Sequence, residues 1–380
     1  MSKKHIPFSK PDIIEKDLLL VSDVIKSGWL AHGHYSKKLE QLFCELTGSS
    51  FSTTVSNCTA GLHLSCIVAG FKEKDEIIVP AMTHTATAHA VEYTGAKTVF
   101  ADVGRISGNI NVESIHNKIT DKTKGIIPVH MAGLPCDMDG ISKLCQENNI
   151  VIIEDCAHAM GSNLAGNHVG NYGITGNFSF YPTKQITTGE GGVVISNDRD
   201  VISEINKYKA FGIDTSPQER NIPGVYNVKG LGYNYRMTDF QAALGVGQLE
   251  RYKKNVSRRR ENANIYNEQL SDVDEIEFVE PNDGHSYFLF QIILSEKFDR
   301  NGLIVELKNS GIGVSIHYAT PVPLMNYYAK KYVIKPSDYP NACSYARSNL
   351  SLPVHQFIRP GDINFICNKI KTYLAKEKNK

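Results

Sequence analysis

The sequence predicts an α/β protein in which helices cover both faces of a mostly parallel β-sheet. Between residues 50 and 200, short β-rich runs alternate with segments of helical period. Two of the runs, GIIPVH and IVIIED, are apolar on both faces, as expected for strands that are buried from both sides. Because strands and helices that alternate in this way form parallel sheets, we expect an α/β/α sandwich over residues 13–250.

The elements of the predicted sandwich follow one another in a regular order. FSTTVS precedes the helical TAGLHLSCIVAGF, EIIVPA precedes TATAHAVEYTG, and KTVFADV follows. GIIPVHMAG then leads to MDGISKLCQENN, and IVIIEDCA ends the series. Ligands of such sheets bind beyond the carboxyl ends of the strands. We therefore expect site residues among those that follow predicted strands, namely Asn57, Cys58, Thr59, His84, Asp155 and His158.

A change in composition near residue 250 marks the start of a smaller domain. RYKKNVSRRRENANIYNEQL predicts a long basic helix, whose charges we interpret as a solvated face. Beyond it, IEFVEP, HSYFLFQIIL and IGVSIHY predict strands, while NGLIVELKNSG and PGDINFICNKIKTYLAKEKNK predict helices. We expect a smaller α+β domain over residues 251–380, with residues 1–12 packed near it.

Composition and charge narrow the function classes. Among 380 residues, 41 Lys and Arg balance 40 Asp and Glu, so no overall field attracts nucleic acid or an anionic membrane. The amino-terminal MSKKHIPFSKPDIIEK lacks the apolar core of a signal peptide, and we expect a cytoplasmic protein. The eight cysteines form no CxxC pair and no zinc-type spacing with histidine. We expect reduced thiols and no bound metal.

The segment NFSFYPTKQITTGEGG places Lys184 between an apolar run and a glycine-rich turn. A lysine in apolar surroundings has a lowered pKa, and its neutral amine attacks an aldehyde cofactor. Taken alone, Lys184 would more often be a solvated surface residue. Asp155 is a carboxylate for a pyridine nitrogen, and Ser56, Asn57 and Thr59 precede a helix whose amides would meet a phosphate.

Two histidines complete the set of groups that an aldehyde cofactor requires. His84 would lie flat on the cofactor ring, and His158, three residues after Asp155, would reach a ring oxygen. Each residue alone has a structural alternative, a helix cap or a hydrogen-bonded buried histidine. No GxGxxG motif opens a helix after a strand, so a dinucleotide site has little support.

The chain resembles the DegT/StrS-type sugar aminotransferases, which are fold type I enzymes that use pyridoxal 5′-phosphate (PLP). The resemblance covers nearly the whole chain and rests on seven motifs in family order: SGWLAHG (27–33), SNCTAGLHLS (56–65), IIPVHMAGLPCDMDGI (126–141), VIIEDCAHAMGS (151–162), FSFYPTKQITTGEGG (178–192), GYNYRMTDFQAALGVGQL (232–249) and SLPVH (351–355). The chain departs from the family pattern at His84, where many relatives have an aromatic residue, and at Cys58, where a small residue is common.

The resemblance implies a role for each matching position. Lys184 is the Schiff-base lysine and Asp155 pairs with the pyridine nitrogen, so these two are the catalytic residues. The cofactor would contact Cys58, Thr59, Ala60, His84, Asp155, His158, Ser179, Lys184 and, from the other subunit of a homodimer, Asn234. We expect substrate contacts from Trp29, Tyr181, Arg236, His317 and Tyr318. Arg220 and Arg236 are candidates for binding substrate phosphates, with solvated or structural roles equally open.

The resemblance further implies transfer of an amino group from glutamate to a keto sugar nucleotide, with the cofactor alternating between PLP and its amino form, PMP. Relatives with histidine at the lysine position are dehydratases, so Lys184 favours transamination. KQITTGEGG resembles relatives that aminate 4-keto sugars, which predicts C4 of a 4-keto-6-deoxy sugar in surface polysaccharide or related amino-sugar synthesis. The alternatives are a ketocyclitol (inosose-type) or 3-keto sugar aminotransferase and, more distantly, a PLP-binding regulatory protein without turnover.

Overall fold

The computed structural model describes residues 5–31, 33–215 and 222–379. Its largest element is a seven-stranded sheet with the strand order β1-β9-β8-β5-β4-β2-β3. β9 is antiparallel to both of its neighbours, and the remaining pairs are parallel. The strands, including the hairpin β6–β7 and the three strands of a second sheet, are β1 (Phe51–Val55), β2 (Glu76–Pro80), β3 (Lys97–Ala101), β4 (Thr123–Ile126), β5 (Val151–Asp155), β6 (Asn163–Leu164), β7 (Asn167–His168), β8 (Thr175–Ser179), β9 (Gly192–Ser196), β10 (Ile276–Glu277), β11 (Phe290–Leu294) and β12 (Asn349–Leu352).

Helices fill the connections between these strands and extend to the carboxyl terminus. In chain order they are α1 (Glu15–Ser27), α2 (His34–Thr47), α3 (Cys58–Val68), α4 (Thr85–Glu92), α5 (Val112–His116), α6 (Met138–Asn148), α7 (Arg199–Tyr208), α8 (Asp239–Leu249), α9 (Tyr252–Leu270), α10 (Arg300–Asn309), α11 (Asn326–Lys331), α12 (Pro340–Ser348) and α13 (Pro360–Lys378). Among the described residues, no helix combines the length and apolar character that a membrane-spanning segment requires.

The alternating side chains of β9 show how the sheet is covered on both faces. Val193 and Ile195 pack on one face against α2 and α8. Val194 points to the other face, where it packs against Leu64 of α3 and Ile205 of α7. All five residues of this strand are buried, as expected for a strand between two helical layers. The predicted α/β/α sandwich with a mostly parallel sheet is therefore confirmed.

The carboxyl-terminal part builds a smaller α+β unit around the antiparallel sheet β10-β11-β12. Helices α9, α10 and α13 share an apolar core with this sheet. The prediction of a strand over IGVSIHY was wrong, since this segment makes only single bridges at Ile312 and Ser315. The Asn349 side chain accepts the His317 N–H (3.0 Å) and donates to the Tyr318 carbonyl (3.2 Å), so it takes backbone groups that a strand would pair.

The smaller unit contacts both the amino terminus and the large sheet. At the amino terminus, Ile6 pairs with Ile312, and the Pro7 carbonyl lies 3.0 Å from His355 Nε2. At the large sheet, the carboxylate of Asp102, which follows β3, accepts hydrogen bonds from the first amides of α12, those of Asn341 (3.0 Å) and Ala342 (2.9 Å). These contacts fix the cleft between the two parts, where the polar residues gather.

Candidate active site

A cavity of about 940 Å³ lies at the carboxyl edge of the large sheet and is closed on one side by the smaller unit. The strands and their following turns bring residues from distant parts of the sequence to its wall. Of the residues that the sequence predicted for the site, those lining the cavity are Cys58, Thr59, Ala60, His84, Asp155, His158, Ser179, Tyr181, Lys184, His317 and Tyr318.

Lys184 lies in the turn between β8 and β9, with its amide bonded to the Tyr181 carbonyl at 2.9 Å. Its Nζ is 4.6 Å from the centre of the Phe288 ring, which forms an apolar floor. Burial lowers the pKa of Lys184 to about 8, although Cys58 and Asp155 act in the opposite direction. A large neutral fraction at mildly alkaline pH makes this amine a nucleophile and a proton carrier.

Asp155 ends β5, the central strand of the sheet, and is only 4% exposed. Its Oδ2 accepts the Thr87 hydroxyl at 2.8 Å, and its Oδ1 accepts the Ala157 amide at 3.1 Å. The Thr87 hydroxyl is itself 2.8 Å from that of Thr83, so the carboxylate is held in one orientation. Sequence reasoning missed Thr87, although the TATA run at the start of α4 places it one turn after His84.

The start of α3 forms the polar end of the cavity. Asn57 caps the helix, and its Oδ1 accepts the Ala60 amide at 2.8 Å. The Ala60 amide, at a residue that the resemblance places against the cofactor, is donated to this cap. The amides of Cys58 and Thr59 lie in the first turn and have no intrahelical acceptor, and both residues line the cavity. Gly192 must be glycine here, because a Cβ would lie 2.9 Å from the Cys58 nitrogen.

Two histidines in the cavity are held neutral by their surroundings. His84 caps α4, and its Nδ1 accepts the Ala86 amide at 3.2 Å, so its proton resides on Nε2. His158 is 3% exposed and lies 3.2 Å from the Tyr318 hydroxyl. Burial, reinforced by Lys184, lowers the pKa of both histidines. Neutral imidazoles avoid repulsion of a cationic Lys184.

Three predicted residues lie outside this cavity. Asn234 and Trp29 are exposed, Trp29 to 59%, and neither lines the wall. Arg236 Nε donates to Asn234 Oδ1 at 3.1 Å, and its guanidinium lies 5.0 Å from the centre of the Phe211 ring. Arg220 falls outside the described residues. Within one chain, therefore, the loop that carries Asn234 and Arg236 presents them away from the cavity.

An aromatic wall next to the start of α3 was missed by sequence reasoning. It consists of His63, Tyr93, Tyr233 and Tyr235, all of which line the cavity. Tyr233 and Tyr235 stack with ring centres 4.9 Å apart, and the Tyr235 carbonyl accepts the Ser56 amide at 2.7 Å. The spacing in GYNYRM indicates this arrangement, because alternate residues of an extended segment face the same way.

These groups fit pyridoxal phosphate. The first-turn amides of α3, with the hydroxyls of Thr59 and Ser179, suit a phosphate. Asp155 suits a pyridine nitrogen, and Lys184 offers an amine to the aldehyde. The fold and the site together define a PLP-dependent aminotransferase of fold type I. The chain belongs to the DegT/DnrJ/EryC1/StrS aminotransferase family, which it matches over residues 11–371.

Comparisons with individual proteins agree with this family. The chain is 35% identical over 374 residues to a GDP-perosamine synthase of Escherichia coli O157:H7, covering 98% of this chain and 99% of that protein. Among solved structures, Spr1654 of Streptococcus pneumoniae, known in PMP and PLP forms, is 29% identical in its PMP form, with a TM-score of 0.92 and coverage of 98% and 100% of the two chains. Helicobacter pylori PseC, an aminotransferase involved in the biosynthesis of pseudoaminic acid, is 26% identical with a TM-score of 0.91 and the same coverage. The chain is a sugar aminotransferase that uses PLP and PMP.

Proposed function

We propose that this enzyme transfers the amino group of glutamate to C4 of a 4-keto-6-deoxy sugar nucleotide. The turn KQITTGEGG is the observation that supports amination at C4. It contains Lys184 and places Glu190 at the cavity wall. This turn resembles those of relatives that aminate 4-keto sugars. A GDP-perosamine synthase, named for a GDP-linked amino sugar, supports the same substrate class at 35% identity. The product would serve surface polysaccharide synthesis, such as that of O-antigen.

The side chains of the cavity account for the chemistry. When bound, the cofactor supplies an electron sink for the carbanion that forms at the amino-bearing carbon. Lys184 Nζ removes the proton from that carbon of glutamate, and in the second half of the reaction it delivers a proton to the former keto carbon of the sugar. Asp155, fixed by Thr87, would hold the proton on the ring nitrogen, and His84 would cover the ring face.

We also propose that the active form is a homodimer with shared sites. Asn234 is exposed and faces away from the cavity of its own chain, as a residue that serves a partner would. Large apolar side chains surround this region and are exposed to water in the single chain, including Val228 at 52% and Leu231 at 84%. α1 adds Leu18 and Leu19, each more than half exposed. A second copy would cover this apolar surface.

Amination of a panel of keto substrates tests the proposed reaction. With glutamate as donor, we expect a 4-amino product from a 4-keto-6-deoxy sugar nucleotide, identified by NMR of the isolated sugar. A 3-keto sugar nucleotide and an inosose serve as matched acceptors. Amination of the inosose without turnover of any sugar nucleotide would overturn the proposal in favour of the ketocyclitol alternative.

The same assay separates an enzyme from a regulatory protein that only binds the cofactor. Such a protein would be yellow with PLP and inert towards every amino donor, whereas we expect glutamate to convert bound PLP to PMP.

The cytoplasmic location, inferred from the amino-terminal sequence, stays a prediction.

A further inference from the structure

His317 reaches the cavity from the smaller unit and lines the same wall as Lys184. Its Nδ1 lies 3.0 Å from the Ser351 hydroxyl on β12. Its ring stacks on Phe8, with centres 5.8 Å apart and planes inclined by 21°. Nε2 has no partner among the described residues, while the imidazole lines the cavity. This nitrogen is therefore available to a ligand.

A network of part-buried hydrogen bonds decides which nitrogen of His317 carries the proton. Gln291 Nε2 donates to the His317 carbonyl at 3.3 Å, which fixes the orientation of the Gln291 amide. The same amide nitrogen donates to Ser351 Oγ at 3.4 Å, and Gln291 Oε1 accepts the Tyr345 hydroxyl at 2.8 Å. Gln291 Nε2 can only donate, so among the described residues the acceptor within reach of the fully buried Ser351 hydroxyl is His317 Nδ1. A proton on Nδ1 would leave the hydroxyl hydrogen buried without an acceptor, and the proton of His317 therefore lies on Nε2.

The imidazole of His317 is neutral. Burial, together with the charges of Lys184 and His84, lowers the pKa of His317 to about 3. Among the described residues that line the cavity, Lys184 is the only lysine or arginine, and the reaction itself uses its amine. Within one chain, the donors that the described wall offers to a ligand carboxylate near the reacting carbon are therefore neutral.

We propose that the Nε2–H of His317 binds both substrates in turn at one position, donating to the α-carboxylate of glutamate and then to the hydroxyl beside the keto carbon of the sugar. The inference rests on the proposed function. Both substrates must place their reacting carbon at Lys184, so the neighbouring carboxylate and hydroxyl occupy the same region. A cationic side chain at this position would have no opposite charge when the sugar hydroxyl replaces the carboxylate. A neutral N–H can donate a hydrogen bond to either oxygen.

Two substitutions at this position separate hydrogen bonding from packing. His317→Phe keeps a ring against Phe8 but removes the donor, and His317→Gln keeps an N–H near the place of Nε2. Each half-reaction is measured alone: PLP to PMP with glutamate, and PMP to PLP with the sugar nucleotide, both by absorbance. We expect His317→Phe to lower kcat/KM by about 10- to 100-fold in both halves, and His317→Gln to recover most of the loss.

A substrate that lacks the neighbouring hydroxyl provides the second measurement. For the wild-type enzyme, we expect the sugar nucleotide deoxygenated beside the keto carbon to react about 10-fold or more slowly than the full sugar. For His317→Phe, the two sugars should react alike. His116→Phe, at an exposed histidine of α5 outside the cavity, should behave as the wild type. Spectra of the bound cofactor and thermal unfolding verify that each variant is folded and loaded.

The inference is overturned if folded His317→Phe keeps the wild-type kcat/KM for glutamate, or if it still discriminates between the two sugars. An enzyme that reacts with glutamate but aminates no sugar nucleotide would instead overturn the proposed function. In that case the glutamate half-reaction of His317→Phe still tests the carboxylate contact.

Discussion

Lys184 gives the site its dependence on pH. Only the neutral amine captures an aldehyde, and burial lowers the pKa of Lys184 to about 8. We therefore expect the rate of PLP capture by the cofactor-free enzyme to rise about tenfold per pH unit below pH 8 and to level off above it. Stopped-flow absorbance of the bound cofactor measures this rate. A lysine with an ordinary pKa would keep the rate rising to beyond pH 10.

Lys184→Ala provides the control for this prediction. The variant should bind PLP only without covalent attachment, so borohydride treatment should leave no cofactor on the protein. A reducible adduct in Lys184→Ala would show that a different lysine forms the attachment.

At the scale of single residues, sequence reasoning predicted that Lys184 and Asp155 lie together at one site, and both line the cavity, but it missed residues that only three-dimensional contacts identify. Lys184 lies in a segment typical of a Schiff-base lysine, and Asp155 ends a strand-like run, where a carboxylate can meet a cofactor ring. Thr87, by contrast, is 68 residues from Asp155, and a threonine in a helix start has many ordinary uses. The proton position of His317 depends on a bond to Ser351, 34 residues away, and no local pattern encodes it.

β5 carries a second acidic residue that organises structure next to the site. Glu154 is fully buried, and its Oε1 accepts the amides of Tyr172 (2.7 Å) and Gly173 (2.8 Å). Its Oε2 accepts the Gly170 amide at 2.7 Å and faces His130 Nε2 at 3.1 Å. His130 Nδ1 accepts the Cys136 amide at 3.0 Å, so its proton is on Nε2 and is donated to Glu154. The carboxylate thereby ties the loop before β8 to the central strand.

Removing this carboxylate should destabilise the large domain. Glu154→Ala leaves the buried Gly170 amide, two part-buried amides and the buried His130 without their acceptor, and we expect a loss of about 3–5 kcal/mol in the free energy of unfolding. Urea denaturation, followed by circular dichroism, measures the loss. Glu147→Ala, at an exposed position on α6, is the matched control and should change the stability by less than about 0.5 kcal/mol. A Glu154→Ala protein as stable as this control would contradict the assigned role.

At the scale of elements, periodicity predicted the strands and helices of the sandwich because each buries residues in a regular pattern. It failed for IGVSIHY, whose apolar residues also alternate. There the side chain of Asn349 bonds the backbone at His317 and Tyr318, so the segment leaves the sheet and enters the cavity. A tertiary hydrogen bond overrides the local preference, and the sequence of the segment itself carries no sign of it.

At the scale of the whole molecule, the proposed homodimer bears on the charge of the site. The cofactor and substrate phosphates are anionic, yet the described wall of the cavity contains Asp155 and Glu190 and only one lysine. Asn234 and Arg236, the amide and the cation that the proposal assigns to a partner's site, do not line the cavity of their own chain and lie near exposed apolar residues. In the proposed dimer, the partner would provide the donors that this wall lacks.

Mixing two inactive variants tests this arrangement directly. If Asn234 serves the partner, a hybrid of Lys184→Ala and Asn234→Ala chains has one site with both defects and one intact site. Random reassembly makes about half of the dimers hybrids, so we expect about a quarter of the wild-type activity at low PLP, where Asn234→Ala alone loads poorly. The Kd for PLP should rise in Asn234→Ala while its mass in solution stays that of a dimer. If Asn234 instead served its own chain, each hybrid site would carry one defect, and mixing would restore no activity.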